Sequence, residues 1–198
     1  MTSEERLRRL AWLGCAAASA ALVGCGGGGG DAAAPAPAAA SAPAPAPAPA
    51  ILSTCNLPDF AAAALARVNQ YRAAGASCGA RGNFAPASAL SWSALLTQAA
   101  DGHSRDMQTN NFFSHTGSNG SDLGLRVTAT GYAWSSVGEN IAAGYASVNA
   151  TIDGWMTSDG HCANLMNPDF NQFGLACVSG ASSNTYSTYW TMDLARSR

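Results

Sequence analysis

From Gly26 to Ala50 the chain consists almost wholly of Gly, Ala and Pro. A run Gly26–Gly30 and a lone Asp31 lead into an Ala/Pro tract that holds six of the nine prolines, at 35, 37, 43, 45, 47 and 49. Glycine runs are flexible, and alternating Ala-Pro favours the extended polyproline II helix, which has no internal hydrogen bonds. Neither can bury a core. Any fold must therefore come from Ile51–Arg198, a single-domain length. At about 3.1 Å per residue, the tract would hold that domain some tens of Å from its attachment point.

The residues before the tract read as an address. Arg6, Arg8 and Arg9 precede an apolar run from Leu10 to about Val23, the charged and apolar regions of a signal peptide, too short to span a bilayer comfortably. The run ends Leu22-Val23-Gly24-Cys25, which resembles the lipobox of bacterial lipoproteins, whose cysteine becomes the lipidated N-terminus. Cys15 is the weaker candidate, because Trp12-Leu13-Gly14 fits poorly and leaves almost no apolar region. A non-lipidated signal peptide or an uncleaved anchor are the alternatives. The expected organisation is a lipoprotein signal peptide over 1–24, a lipidated Cys25 with a tether to 50, and a domain over 51–198. The protein is then expected to be exported and lipid-anchored to the bacterial cell envelope through Cys25. Gly26 after the cysteine, rather than Asp, favours an outer membrane where the organism has one.

Charge excludes several partners. The chain has 10 basic and 12 acidic residues, 11% of the total, against roughly 25% in ordinary soluble domains. Every basic residue is Arg, and no basic run exists, so nucleic acid is not an expected partner. From Cys25 onward 7 Arg face 10 acids, a net charge of −3, which argues against electrostatic attraction to an anionic lipid or wall.

Four cysteines remain in the domain, Cys55, Cys78, Cys162 and Cys177. An even number beyond a secretory signal implies two disulfides, with three connectivities open. Local spacing favours Cys55–Cys78 and Cys162–Cys177. A four-cysteine zinc site is disfavoured because no CxxC occurs.

Periodicity predicts helices opening at Leu57-Pro58-Asp59 and stopping at Gly75, after a Ser91 cap, from Asp122 to Thr130, and from Ser147 to before Gly160. Strand patterns cover Glu139–Ala143, Phe173–Val178 and Tyr186–Asp193. Interleaved helices and strands with short connections predict an α+β layered domain.

The ionisable residues gather in four short phrases. They are Gly102-His103-Ser104-Arg105-Asp106-Met107, Phe112-Phe113-Ser114-His115-Thr116-Gly117, Gly138-Glu139-Asn140-Ile141-Ala142 and Trp155-Met156-Thr157-Ser158-Asp159-Gly160-His161. These hold all three histidines and the one glutamate beyond the leader. With Val68-Asn69-Gln70-Tyr71-Arg72, Leu90-Ser91-Trp92, Asn164-Leu165-Met166-Asn167-Pro168, Phe173-Gly174-Leu175 and Tyr189-Trp190-Thr191, the order of phrases resembles bacterial members of the CAP superfamily, or SCP domains. That superfamily is named for cysteine-rich secretory proteins, antigen 5 and pathogenesis-related 1. The resemblance spans Leu57–Leu194 and implies an α-β-α sandwich with a central antiparallel sheet between helical layers. It also implies a cleft lined by two histidines and two acids. By motif these are His115, His161 and Glu139. The second acid position is occupied by Ser158, with Asp159 adjacent. His103 belongs to a phrase common in the bacterial branch, and its helical spacing with Leu96, Ala100 and Met107 reads as a core-edge histidine.

Two neutral imidazoles and a carboxylate can hold Zn²⁺ with a fourth position open for water. A zinc-dependent hydrolase using His115, Glu139 and His161 is thus the alternative to a non-enzymatic envelope module that binds a lipid, glycan or protein in the cleft, with no cofactor required. A vestigial cleft on an interaction scaffold is a third reading. The phrase around His103 lacks the last Gly of a nucleophile elbow, and Cys162 beside His161 reads as half of a disulfide rather than a thiol nucleophile.

Overall fold

The computed structural model describes residues 52–198. The leader, the tether, Cys15 and Cys25 lie outside the described residues. Among the described residues no helix is long and apolar enough to cross a membrane.

Helix α1 (Phe60–Ala74) is followed by a small antiparallel pair, β1 (Ala76–Ser77) and β2 (Asn83–Phe84), joined through a 3-10 turn at Gly79–Arg81. Next come β3 (Ser91–Trp92), α2 (Ala94–Thr109), α3 (Leu123–Ala129), β4 (Trp134–Ala143), α4 (Val148–Met156), α5 (Asp159–Met166), β5 (Gln172–Ser179) and β6 (Thr188–Ser197). The main sheet has the order β3-β5-β6-β4. Its three long strands are antiparallel, as expected, but the short edge strand β3 joins β5 in parallel, so the sheet is mixed.

Successive strand residues point to opposite faces, and β6 divides its side chains cleanly between two layers. Trp190, Met192 and Leu194 face a core shared with α1, α4 and α5, including Phe60, Val68, Ile152, Trp155 and Leu165. Tyr189, Thr191, Asp193 and Ala195 face α2. Tyr189 packs with Met107 and Ile141, Ala195 with Leu96, and Ser104 donates to Thr191 at 2.8 Å. The result is a three-layer α-β-α sandwich. A Cβ on Gly174 would lie 2.1 Å from the Thr97 amide nitrogen, so the second helix rests directly on the backbone of β5.

Local signals set most helix ends. Ser93, Asp122 and Ser147 accept amide hydrogen bonds from Leu96, Leu125 and Ala150, satisfying otherwise orphaned N–H groups. The cap of α2 is therefore Ser93 rather than Ser91, because Ser91 and Trp92 pair with Gln172 and Phe173. At α1 the cap is Asp59, with Pro58 before the helix instead of in its first turn. The helix expected from Ser147 to Gly160 is two helices, α4 and α5, separated at Thr157-Ser158.

The disulfide pairing corrects the local-spacing expectation. Cys55 is bonded to Cys177 and Cys78 to Cys162, with Cα–Cα distances of 5.3 and 5.4 Å. At about 1.5 Å rise per residue, the intervening α1 carries Cys78 roughly 20 Å along its axis, away from Cys55. Cys55 instead lies against β5, where its N–H donates to the Cys177 carbonyl at 3.0 Å. Cys78 meets the first turns of α5.

Candidate functional site

The site begins with β4, an edge strand of the sheet. Gly138 precedes Glu139 because a Cβ there would lie 2.8 Å from the Phe170 ring. Asn140, on the opposite pleat face, ties the strand to α5. Its Nδ2 donates to the His161 carbonyl at 3.1 Å, and its Oδ1 accepts from Asn164 Nδ2 at 2.9 Å. Asn164 Nδ2 also donates to the Glu139 carbonyl at 3.1 Å. The far end of α5 is held by Arg72, fully buried, whose guanidinium donates to the Leu165 and Asn167 carbonyls at 2.7 and 2.9 Å. A cation at a helix C-terminus is favoured by the helix dipole.

His115 is carried by the loop between α2 and α3. Asp106 fastens that loop, accepting from Ser118 N at 2.8 Å and from Asn110 Nδ2 at 2.8 Å. Asn111 adopts a left-handed backbone with φ of 49°, and its side chain accepts from Thr185 N at 2.8 Å. These bonds place His115 Nδ1 2.7 Å from Glu139 Oε1.

Glu139 has a second partner that sequence reasoning missed. Arg126 of α3 donates to Glu139 Oε2 at 2.6 Å and to the Ser121 carbonyl at 2.9 Å. A second unanticipated residue is Asp193, fully buried and directly opposite Glu139 across the β4–β6 ladder. Its two oxygens accept no hydrogen bond from a protein donor. An acid interrupting the apolar run Tyr189–Leu194 was the available signal for Asp193. Nothing local marked Arg126.

The electrostatics follow from this packing. Burial alone would push the Glu139 carboxyl up, but the bond to His115 and the charge of Arg126 prevail and hold it below the ordinary value. The same bond to Glu139 raises His115 against the effect of burial. Burial, and then the charge of His115, lower His161. Burial, and then Glu139, push Asp193 well above the ordinary carboxyl range.

The other expected residues divide. His103, a residue of α2, is completely buried, with Nε2 2.9 Å from the Ser114 carbonyl and 3.9 Å from Glu139 Oε2. Burial lowers its pKa. Asp159 turns to the 3-10 segment, accepting from Ala80 N at 2.8 Å. Ser158 precedes α5 at the N-cap position without a side-chain capping bond. Neither restores a second acid beside His161. Asp193 supplies an acid beside Glu139 instead, from inside the core.

Zinc held by His115, Glu139 and His161 would draw on a buried carboxylate that already accepts two charge-assisted hydrogen bonds. Both oxygens of Glu139 are engaged, one by His115 itself and the other by a guanidinium. Among the described residues no group of three or more His, Cys, Asp or Glu side chains is placed to hold a metal ion. The donor set does not fit that centre. What remains open is a pair of imidazoles. The His115 side chain is 58% exposed, and the His161 ring, half-buried, makes no hydrogen bond to the protein among the described residues.

Residues 65–194 match the model of the cysteine-rich secretory protein family, CAP. Two Bacillus subtilis proteins are similar in sequence. The uncharacterized membrane protein YlbC is 36% identical over 86 residues, 43% of this chain and 25% of that protein. The uncharacterized protein YkwD is 33% identical over 88 residues, 44% of this chain and 34% of that protein. The chain thus spans about a third or less of the curated relatives it matches. Among solved structures, an outer surface protein from Borrelia burgdorferi is 17% identical and superposes with a TM-score of 0.51 over 57% of this chain and 80% of its own; it shares the fold. An extracellular protein with an SCP domain from Bacillus anthracis is 33% identical, with a TM-score of 0.49 over 56% of this chain and 34% of its own.

Proposed function

Given that this chain belongs to the cysteine-rich secretory protein (CAP) family, we propose that it is a non-enzymatic binding module of the cell envelope. Its ligand, a lipid, glycan or protein, is contacted at the cleft of His115, Glu139 and His161. The observation that carries this reading is the engagement of both Glu139 oxygens, at 2.7 Å by His115 and 2.6 Å by Arg126. A general base needs a lone pair within reach of a substrate proton; each Glu139 oxygen already accepts a hydrogen bond, and the side chain is only 3% exposed. The closed network orients His115 while leaving its other ring nitrogen and the His161 ring as hydrogen-bonding groups at the surface. The hydrolase reading has no comparable support, since the carboxylate it requires is buried and already accepts from His115 and Arg126.

The test is to purify the full chain from membranes and identify co-purifying molecules by mass spectrometry, alongside a hydrolase screen with divalent metals. A retained envelope lipid, glycan or protein that is lost from His115→Ala and His161→Ala supports the module. Metal-dependent turnover that disappears in a folded His161→Ala variant overturns it.

Anchoring through a lipid on Cys25 completes the proposal, supported by the lipobox-like Leu22-Val23-Gly24-Cys25 and the tether after it. Cys25→Ser should abolish palmitate labelling and release the protein from membranes. Labelling that persists sinks the assignment.

A further inference from the structure

One end of the sandwich differs from the rest of the surface in charge and in texture. Strands β4 and β5 end there and β6 begins, since Ala143 pairs with Tyr189 and Ser179 with Thr188. The loop after α2 is fastened to the same end. Asn111 Oδ1 accepts from the Thr185 amide at 2.8 Å, and Asn184 Nδ2 donates to the Gln108 carbonyl at 2.7 Å. The chain also enters the domain here, where Thr54 bridges Cys177 and the Cys177 N–H donates to the Ser53 carbonyl at 2.9 Å.

The entry segment and three loops meet at this end, residues 52–58, 110–115, 144–149 and 180–187, and none contains Asp, Glu, Lys or Arg. Their one basic side chain is His115, which is bonded to Glu139. At the border stand Asp59 and an Arg105 already paired with Asp101 at 2.7 Å.

Among the described residues five large apolar or aromatic side chains are exposed, and three belong to this end: Phe113 at 43%, Tyr186 at 38% and Tyr145 at 37%. The Phe113 and Tyr186 rings lie 5.7 Å apart, and buried Tyr189 backs Tyr186 at 5.8 Å. Tyr145 is fixed through its carbonyl, which accepts from Thr188 Oγ1 at 2.8 Å and from Trp190 Nε1 at 3.1 Å. The other two, Leu95 and Leu125, stand toward the opposite end. Helix α2 starts where Ser93 bonds to Phe173 at the start of β5, and α3 packs on Trp134 at the start of β4.

Single exposed apolar side chains are ordinary, whereas a group of them at one uncharged end calls for a partner. Phe and Tyr suit a bilayer interface, where the ring enters the acyl boundary and the phenol oxygen stays among the headgroups. Charged side chains would oppose that entry, and these loops have none. The chain outside the described residues points to the occupant. Gly26–Ala50 leads from Cys25 to this end, so a bilayer holding a lipid on Cys25 is present at high effective concentration, and a weak contact suffices. A soluble protein partner has no such advantage and needs a patch of about 800 Å² on each side, which three part-exposed rings by themselves do not supply.

We propose that this end of the domain docks on the bilayer surface, with Phe113, Tyr145 and Tyr186 dipping into the headgroup region. The assignment rests on reading Cys25 as the lipid anchor and deepens it by giving the domain an orientation. His115, two residues beyond Phe113, is then presented near the headgroups.

The experiment uses the full chain, purified with its own lipid and reconstituted into phosphatidylcholine vesicles that carry a diazirine at the headgroup. Photolysis followed by residue-level mapping by mass spectrometry reports which side chains touch lipid. Adducts at Phe113, Tyr145 and Tyr186 should exceed those at Leu95 and Leu125 by about tenfold, as expected where one face alone enters the interface. The double variant Phe113→Ser/Tyr186→Ser changes only exposed side chains and should lower the Tyr145 adducts severalfold. Adducts spread evenly over the domain, adducts concentrated at Leu125, unchanged Tyr145 labelling in the double variant, or no adducts on a chain that floats with the vesicles each overturns the docking face and leaves the anchor standing. A chain that does not float with the vesicles removes the anchor, and this face with it.

Discussion

Glu139 and Asp193 stand directly opposite each other across the β4–β6 ladder, so that two carboxyl groups share one buried corner of the sheet. Like charges in low dielectric cannot both ionise cheaply. The corner resolves this by unequal partners. Glu139 has His115 and Arg126 and stays ionised. Asp193 has no donor and holds its proton far above the usual range.

Asp193 should make the fold less stable as pH rises. Its folded pKa is raised, so its contribution is intact below the ordinary carboxyl range and is lost as pH climbs from there toward the folded value. Asp193→Asn keeps the shape and removes the titration. The variant should match the parent near pH 4 and gain on it as pH rises toward 8, at about 1.4 kcal/mol per pH unit for as long as Asp193 keeps its proton. Thermal denaturation across that range checks it; a difference that does not change with pH argues against a proton held at Asp193.

The two cleft histidines should titrate on opposite sides of the ordinary value. His115 is raised by its bond to Glu139, and His161 is lowered by burial and by the charge of His115. Stability from His115 is then complete below its unfolded pKa and fades as pH rises through the folded one. Glu139 acts in the other direction, losing its contribution as pH falls. Because His115 is 58% exposed, solvent screening limits its share to under about 1 kcal/mol. NMR titration of the ring protons should show the split, and Glu139→Gln should bring His115 back toward the ordinary value. Coincident titrations would remove the ion pair from the account.

Replacing Arg126 should cost more than losing a surface pair. Its side chain is 11% exposed and that of Glu139 only 3%, so Arg126→Met leaves a buried carboxylate with one partner. A loss of about 3 kcal/mol is expected in denaturant unfolding. Adding Glu139→Gln to Arg126→Met should recover part of it, since the stranded charge is gone. A loss below about 1 kcal/mol, or no recovery, contradicts the coupling.

The disulfides span 122 and 84 residues, which in the chain-entropy model corresponds to about 4–5 kcal/mol each. Cys78→Ala/Cys162→Ala should therefore lower stability strongly, with Cys55→Ala/Cys177→Ala comparable. Non-reducing digestion should yield peptides joining 55 to 177 and 78 to 162. Peptides joining 55 to 78 would restore the local pairing.

Much of the fold was legible in short phrases. The caps Asp122 and Ser147, the stop at Gly75 and the strand-like run through Tyr189 and Trp190 act over a few residues, and their signals survive in sequence. So did the joint appearance of His115 and Glu139, because each sits in a phrase of the CAP pattern. Misreadings arose where a nearby residue competes for the same local role. Ser91 and Ser93 are both good caps, and only the pairing of Ser91 with Gln172 decides between them.

What the sequence determined by itself is therefore the family, the layered α+β class, and the short phrases that hold its scarce histidines and one glutamate. The tertiary structure decided which groups that glutamate meets. Arg126 reaches it from a helix, Asp193 from another strand in register, and Asp159, adjacent to the expected acid position, turns away to the turn beside Cys78. It likewise decided the cysteine pairing. Capping and periodicity operate within one or two turns of chain, whereas these contacts depend on helix lengths and on strand register, which take effect only once the layers are packed.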